Sequence, residues 1–182
     1  ILEAASRNGI EIPHLCYASG LRADGNCRAC VVEIEGERVL APSCCRVPAE
    51  GMKVLARSDR ARRSQLLVLE LLRGEVGDAT HTHESELDQW CEKLGVYSSR
   101  FGSREQPAAD YSHPAIAVNL ESCIQCTRCL RACREEQMND VIGLAQRGAY
   151  AKIVFDVADT MGASSCVGCG ECVQACPTGA LM

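Results

Sequence analysis

Two stretches in the C-terminal third of the sequence decide the fold: residues 123–133 are CIQCTRCLRAC, and residues 166–176 are CVGCGECVQAC. Both contain four cysteines spaced Cys-x2-Cys-x2-Cys-x3-Cys, so the second is an internal repeat of the first. We call them run one and run two. The two x2 steps allow a tight loop to present three thiolates to one centre. The x3 step predicts a turn into a short helix that carries the fourth thiolate away.

This spacing is the signature of bacterial two-cluster ferredoxins, in which the fourth cysteine of each run binds the cluster of the other run. That rule predicts one 4Fe–4S cluster held by Cys123, Cys126, Cys129 and Cys176. It predicts a second held by Cys133, Cys166, Cys169 and Cys172. Zinc sites use Cys-x2-Cys pairs separated by a longer stretch and fit the runs badly. Arg134 follows Cys133 where a proline is common, which removes no ligand but adds a cation.

A third group of cysteines lies near the N-terminus, at positions 16, 27, 30 and 44. Its first gap is longer than the four-residue gap of plant-type ferredoxins, but a central Cys-x2-Cys flanked by two outlying cysteines follows the same logic. This group favours a 2Fe–2S centre with ligands Cys16, Cys27, Cys30 and Cys44, and a zinc site is the alternative. From spacing alone, Cys44 and Cys45 compete for the last position.

Composition excludes several classes of function. The chain has 182 residues, 14 of them cysteine, and a net charge of −5, which argues against nucleic acid as a partner. The longest apolar run, residues 66–72, contains Glu70, so we expect no membrane span. The sequence opens without a secretory signal pattern. Since so many free thiolates favour a reducing compartment, we expect a cytoplasmic protein.

Local patterns predict a small set of elements. We expect helices over residues 1–8, from Ser58 or Asp59 to about Arg73, and over roughly 84–94, a hairpin pairing 31–35 with 38–40, and a strand at 152–155. Gly74 and Gly77 should end the second helix, and Gly95 the third. The second helix should bury a broad face made of Leu66, Leu67, Leu69, Leu71 and Leu72.

With the cysteines placed, the flanking residues resemble a known family. Residues 12–16, residues 25–30 and the pair Gly51 and Met52 are similar to the 2Fe–2S domain of the complex I large iron–sulfur subunit. In that family the Gly-Met pair follows the fourth ligand by seven residues. The resemblance therefore implies Cys44 as the ligand and Cys45 as a spare.

The rest of the chain resembles one branch of that family, the α subunit of soluble NAD-dependent formate dehydrogenases. Residues 123–129 and 133–143 carry this likeness, while 170–181 is also similar to diaphorase subunits of NAD-reducing hydrogenases. The resemblance implies a molybdenum or tungsten pterin outside this sequence. It implies flavin- and NAD-binding diaphorase subunits, and the rest of the chain's own catalytic subunit, as partners.

One site of the family is altered. Many members hold a further 4Fe–4S cluster through one histidine and three cysteines before the short segments LGV and RF, which are present here at 94–96 and 100–101. The cysteines are not, and Ser85 stands where the last would fall. The remaining candidates for a metal are His81, His83 and Cys91, and we expect no cluster there.

The predicted fold class is α+β, with a β-grasp 2Fe–2S ferredoxin-like domain over 1–57, a helical connector over 58–115 and a two-cluster ferredoxin module over 116–182. Since the sequence opens inside the first helix of a β-grasp domain, we expect its first hairpin to be missing and the chain to be a fragment. No residue set resembles a catalytic centre. We expect an electron relay of a formate dehydrogenase. The alternatives are a subunit of an NAD-reducing hydrogenase or complex I-like assembly, and a stand-alone carrier or zinc-stabilised interaction module.

Overall fold

A computed structural model describes residues 1–76 and 85–182 of the chain. Its helices are α1 (Leu2–Arg7), α2 (Asp59–Glu75), α3 (Glu86–Leu94), α4 (Arg128–Arg131) and α5 (Glu171–Ala175). Its strands are β1 (Val31–Ile34), β2 (Ala41–Pro42), β3 (Val54–Leu55), β4 (Ile142–Ala145) and β5 (Lys152–Phe155). The 3-10 turns are Leu120–Ser122 and Gly148–Tyr150, and α4 continues into a π-helical turn over Ala132–Glu136.

The N-terminal part forms a three-stranded antiparallel sheet in which β1 lies between β2 and β3. The predicted partner of β1 at 38–40 is wrong, because the pairing begins later, at Ala41, opposite Val32. Gly36 supplies the expected turn at φ +85°, but residues 38–40 form no strand before the pairing begins. Val39 is exposed whereas Ala41 is buried, so the later register brings the apolar side chain to the core.

Helix α2 begins where the sequence predicts, since the Ser58 hydroxyl accepts a hydrogen bond from the Ala61 amide at 3.2 Å. It continues through Gly74 to Glu75, so the prediction that Gly74 ends it is wrong. A side chain at Gly74 would place its Cβ 2.6 Å from Ser99 Oγ. Glycine is required there for close packing rather than for a helix end. Gly77 lies outside the described residues.

The predicted leucine face of α2 is narrower than expected. Leu69 is fully buried, but Leu67 and Leu71 are exposed. Buried Gln65 lies on the same face and donates from Nε2 to the carbonyl of Val31 at 2.9 Å. The helix therefore packs on β1 partly through a polar side chain whose hydrogen bond compensates its burial.

Helix α3 ends at Gly95, which takes the left-handed conformation at φ +74°, as predicted. Its N-cap is Ser85, whose hydroxyl accepts from the Asp88 amide at 3.0 Å. The amide of Glu86 donates to the carbonyl of Pro177 at 2.8 Å, so the start of α3 is joined to the chain just after run two.

The C-terminal part contains both runs and the hairpin β4–β5, paired from Ile142 with Phe155 to Ala145 with Lys152. The predicted strand at 152–155 is confirmed as β5. The apolar core beneath the hairpin includes Ile142, Phe155 and Met161 together with cysteines of both runs. Cysteines of both runs therefore pack on the same apolar core.

Candidate metal centres

The four N-terminal cysteines come together as one group. The Cys30 thiol donates to Cys44 Sγ at 3.4 Å, and the Cys16 amide donates to Cys27 Sγ at 3.4 Å. The Cys16 thiol also interacts with the thiols of Cys27 and Cys44. Cys16 and Cys30 are buried and the other two are half-buried. Four sulfurs gathered beside a loop and a sheet edge form a donor set suited to a 2Fe–2S centre.

The thiols of this group cannot all ionise at once without a compensating cation. Hydrogen bonds from Cys27 and then Cys44 lower the pKa of Cys16. The same contacts raise the pKa of Cys27 and of Cys44, because ionising either would bring a second negative charge beside the first. Iron supplies the compensating positive charge in iron–sulfur sites, so the group fits such a centre.

Cys45 differs from its neighbour Cys44. Its side chain is exposed, and its Sγ lies 3.6 Å from Cys44 Sγ. Cys44 is the one that also contacts Cys16 and Cys30. This arrangement favours Cys44 as the fourth ligand.

In the C-terminal part, two cavities are lined by cysteines drawn from both runs. The first is lined by Cys123, Cys126, Cys129 and Cys176. The second is lined by Cys133, Cys166, Cys169 and Cys172. The fourth cysteine of each run therefore lines the cavity of the other run. Within the described residues, no group of side chains is arranged around a single metal ion.

The two loops share a backbone geometry that points amide groups at sulfur. Gln125 N donates to Cys123 Sγ at 3.4 Å in run one, and Gly168 N donates to Cys166 Sγ at 3.3 Å in run two. Both donors have positive φ, 49° for Gln125 and 69° for Gly168. Such amide–sulfur hydrogen bonds are among the interactions that tune the potential of a cysteine-bound cluster.

Burial makes the cavity thiols poor acids on their own. It raises the pKa of Cys123 to about 11 and that of Cys172 to about 12, and it raises the pKa of Cys129 as well. Cluster binding requires thiolates, so the metal must supply the positive charge that the apolar walls do not. The donor set fits a 4Fe–4S cluster in each cavity on these grounds.

The altered cluster site of the connector presents one buried thiol and one capping serine. Cys91 is packed among Leu15, Leu69 and Leu87, and burial raises its pKa to about 11. Ser85 is used as the N-cap of α3. His81 and His83 lie outside the described residues, so the absence of a cluster there stays a prediction.

Two arginines of run one, which the sequence does not single out, are buried where run one meets the N-terminal part. Arg128 donates from Nη1 to both carboxylate oxygens of Glu86 at 2.8 Å and to the Leu15 carbonyl at 3.3 Å. Arg131 donates to the carbonyls of Cys16 and Cys126. Arginines on a short cysteine-rich helix are expected to face solvent, and only the tertiary contacts show otherwise.

Polar contacts join the same two parts of the chain at the loop that precedes Cys27. The Thr127 hydroxyl donates to Asp24 Oδ2 at 2.9 Å and accepts from Asn26 Nδ2 at 2.7 Å. Asn26 Nδ2 also lies 3.3 Å from the Cys126 carbonyl. The loop that precedes Cys27 therefore rests directly on the loop of run one.

Comparison with known protein families gives two matches. Residues 1–59 match a family described as a 2Fe-2S iron-sulfur cluster binding domain. Residues 118–180 match a family described as a 4Fe-4S dicluster domain. The chain therefore consists of a 2Fe–2S ferredoxin-like domain followed by a 4Fe–4S dicluster domain, and the predicted fold class is confirmed.

Several curated proteins are similar over the whole of this chain. It is 36% identical over 191 residues to an NADH-quinone oxidoreductase subunit of Rhizobium meliloti (strain 1021), covering 22% of that protein. It is 36% identical over 205 residues to NADP-reducing hydrogenase subunit HndD of Solidesulfovibrio fructosivorans, covering 33%. It is 33% identical over 189 residues to NADPH-Fe(3+) oxidoreductase subunit alpha of Geobacter sulfurreducens, covering 22%. The chain thus spans about a fifth to a third of the length of these relatives.

A solved structure shares the fold. A chain in the crystal structure of an NAD+-reducing [NiFe]-hydrogenase in the H2-reduced state superposes with a TM-score of 0.90 at 28% identity, covering 100% of this chain and 79% of that one. The sequence is therefore related to iron–sulfur subunits of NADH-quinone oxidoreductases and NAD-reducing hydrogenases. None of these relatives is a formate dehydrogenase. No helix within 1–76 or 85–182 is long and apolar enough to cross a bilayer.

Proposed function

We propose that this chain is an electron relay with one 2Fe–2S and two 4Fe–4S clusters, working within a larger NAD(P)-linked oxidoreductase. The observation that carries the proposal is the exchange of fourth cysteines: Cys176 lines the cavity of run one and Cys133 that of run two. When bound, such clusters accept and release single electrons. The chain contributes the ligands, the amide donors to sulfur and apolar walls that limit water.

The ligand sets of the proposal are those predicted from the cysteine spacing and, for Cys44, from the family resemblance. The 2Fe–2S ligands are Cys16, Cys27, Cys30 and Cys44. The ligands of the first 4Fe–4S site are Cys123, Cys126, Cys129 and Cys176, and those of the second are Cys133, Cys166, Cys169 and Cys172. We also retain the division into 1–57, 58–115 and 116–182 as a proposal, with 58–115 acting as a packing connector between the two cluster-binding parts.

The similarity to quinone oxidoreductase and hydrogenase subunits supports a partner that exchanges electrons with NADH or NADPH. We therefore favour an NAD-reducing hydrogenase or complex I-like assembly, with flavin-bearing diaphorase subunits as the neighbours. The formate dehydrogenase hypothesis, with a molybdenum or tungsten pterin, rests on the sequence likeness of run one and its flank. It is the second candidate.

Cluster content is tested by iron and acid-labile sulfide analysis with EPR on the anaerobically reduced protein. The proposal expects about ten irons per chain and signals from one 2Fe–2S and two 4Fe–4S centres. About fourteen would show that a further cluster is held, and zinc in place of iron would overturn the relay.

The electron donor is tested on the native complex purified with its neighbouring subunits. Adding NADH or NADPH should reduce the EPR-detectable clusters, and formate alone should not. Reduction by formate, together with molybdenum or tungsten in the complex, would favour the second candidate instead.

The choice of Cys44 over Cys45 is tested by a matched pair of variants. Cys44→Ala should lose the 2Fe–2S signal, because its sulfur contacts Cys16 and Cys30. Cys45→Ala should retain it, since Cys45 lies outside the group and is exposed. Loss of the signal in Cys45→Ala with retention in Cys44→Ala would reverse the assignment.

A further inference from the structure

The guanidinium of Arg131 is a deeply buried charge. Only 1% of this residue is exposed. Its Nη2 donates to the carbonyl of Cys16 at 2.5 Å and to the carbonyl of Cys126 at 3.3 Å, and its Nη1 donates to the carbonyl of Arg22. It therefore joins the backbone of a proposed 2Fe–2S ligand to that of a proposed 4Fe–4S ligand.

This buried cation has no anionic partner among residues 1–76 and 85–182. It makes no ion pair there, and its Nε has no hydrogen-bond partner. Its neighbours are compensated: Arg128 pairs with Glu86 and Arg134 with Asp140. A buried charge is costly unless nearby negative charge offsets it, and three carbonyl dipoles do so only in part.

Proposed cluster ligands lie on both sides of this cation. Cys16 belongs to the 2Fe–2S group and Cys126 to the cavity of run one. Cysteine-bound iron–sulfur centres carry net negative charge that increases on reduction, and local charge is one of the factors that sets their potential. A fixed cation between two such centres favours the reduced state of each.

We propose that Arg131 is a positioning and charge-tuning residue at the junction of the 2Fe–2S site and the first 4Fe–4S site. Its planar fork fixes the Cys16 loop against the Cys126 loop. Its charge raises the reduction potentials of these two sites relative to the second 4Fe–4S site, to whose proposed ligands its guanidinium makes no hydrogen bond among the described residues. The inference rests on the ligand sets proposed above.

Three variants of the full-length protein in its native complex separate charge from packing. Arg131→Gln removes the charge and keeps a donor for the carbonyls, while Arg131→Lys keeps the charge and loses the fork. Arg134→Gln is the matched control. It removes the same charge from the next turn of the chain, where the side chain is 51% exposed and already paired with Asp140.

The measurement is an anaerobic potentiometric titration followed by EPR, after iron has been counted in each variant. In Arg131→Gln the midpoint potentials of the 2Fe–2S and first 4Fe–4S centres should shift negative, by more than that of the second 4Fe–4S centre. Arg131→Lys should stay closer to the wild-type potentials than Arg131→Gln does. Arg134→Gln should leave all three potentials near their wild-type values.

The remaining outcomes also decide the question. Unchanged potentials in fully loaded Arg131→Gln would overturn the proposal, and so would equal shifts at all three centres or in Arg131→Lys and Arg131→Gln. Loss of clusters in Arg131→Gln but not in Arg131→Lys would support the charge role. Loss in both would overturn it in favour of packing alone. A wild-type protein without iron would instead overturn the proposed function.

Discussion

Run one and run two have the same cysteine spacing but different surroundings. In run one Cys126 is buried, and the residues flanking it in the left-handed conformation are Gln125 and Thr127. In run two Cys169 is exposed, and both flanking left-handed residues are glycines. The two runs differ in what packs on them. The N-terminal part packs on run one, and we call this contact the cover; run two has no comparable cover among the described residues.

The cover explains how run one accommodates non-glycine residues at strained positions. Thr127, at φ 61°, is held by its hydroxyl, which donates to Asp24 and accepts from Asn26. Gly170 is the equivalent residue of run two, at φ 81°, and a Cβ added there would have no neighbour within 4 Å. A left-handed backbone costs little for glycine, but other residues need compensating contacts.

The strongest test of the comparison asks whether the runs truly exchange their fourth ligand. Cys176→Ala should abolish the cluster in the cavity of run one and spare the other, because Cys176 lines only the first cavity. Cys133→Ala should do the reverse. Iron analysis with EPR of both variants checks this. Loss of the run-two centre in Cys176→Ala would show that each run binds its own cluster.

The next largest effect should be a difference in sensitivity to oxidants. Because Cys169 is exposed whereas Cys126 and Cys129 are buried, oxygen or a chelator should remove the run-two cluster first. Freeze-quenched EPR during air exposure measures the two decay rates. Asp24→Ala, which removes a contact of the cover with Thr127, should bring the rates closer together. Equal rates in the wild type would contradict the comparison.

A smaller effect is expected in stability. Gly170→Ala should lower the free energy of unfolding by about 1 kcal/mol, because alanine must then adopt a positive φ. Thr127→Gly should change it by less than about 1 kcal/mol, since relief of strain offsets the loss of the hydroxyl contacts. Thermal midpoints measured under nitrogen compare the two variants. A larger loss in Thr127→Gly would mean that the contacts outweigh the strain.

The smallest expected effect is a loss of local stability near run two at acidic pH. Asp110 accepts hydrogen bonds from the amides of Ser112 at 2.9 Å and Met161 at 2.6 Å, next to run two. A hydrogen bond from the Ser112 side chain, with those from the amides of Met161 and Ser112, lowers the pKa of Asp110. Its stabilisation is therefore present above the unfolded pKa of about 4 and is lost as pH falls through the lowered folded value.

Hydrogen exchange measures this effect at the Met161 amide, with correction for intrinsic rates. Protection should weaken in acid for the wild type. In Asp110→Asn it should be weaker at neutral pH and lose most of its pH dependence. Run one has no carboxylate in the same role among the described residues: Arg104 donates to the Cys123 carbonyl at 3.2 Å instead. Equal acid sensitivity of the Cys123 segment would remove this distinction.

The features that the sequence predicts well are those set by local chemistry. Cysteine spacing defines the loops, and Ser58 at the start of α2 and Gly95 at the end of α3 are caps that act on the backbone groups of their own helices. The spacing also anticipates which sulfurs share each cavity, because the loop geometry of a short cysteine run leaves few alternatives.

The features that it predicts poorly are set by distant contacts. Ser99 packs against the helical Gly74, and Gln65 rather than a leucine makes the contact with Val31 of β1. The cation near Cys133 that the sequence suggested, Arg134, lies on the surface in an ion pair. Buried Arg131 has partners that are 109 and 115 residues away along the chain.

The exchange of fourth cysteines also has a consequence for biogenesis. Cys176 follows Cys123 by 53 positions, so the ribosome must deliver run two before the cavity of run one has its full set of sulfurs. With the proposed ligands, neither 4Fe–4S cluster can be completed on a nascent chain that ends before residue 166. A truncated translation product would therefore emerge with incomplete sites, exposed to proteases, and iron delivery becomes a late step that follows synthesis of both runs.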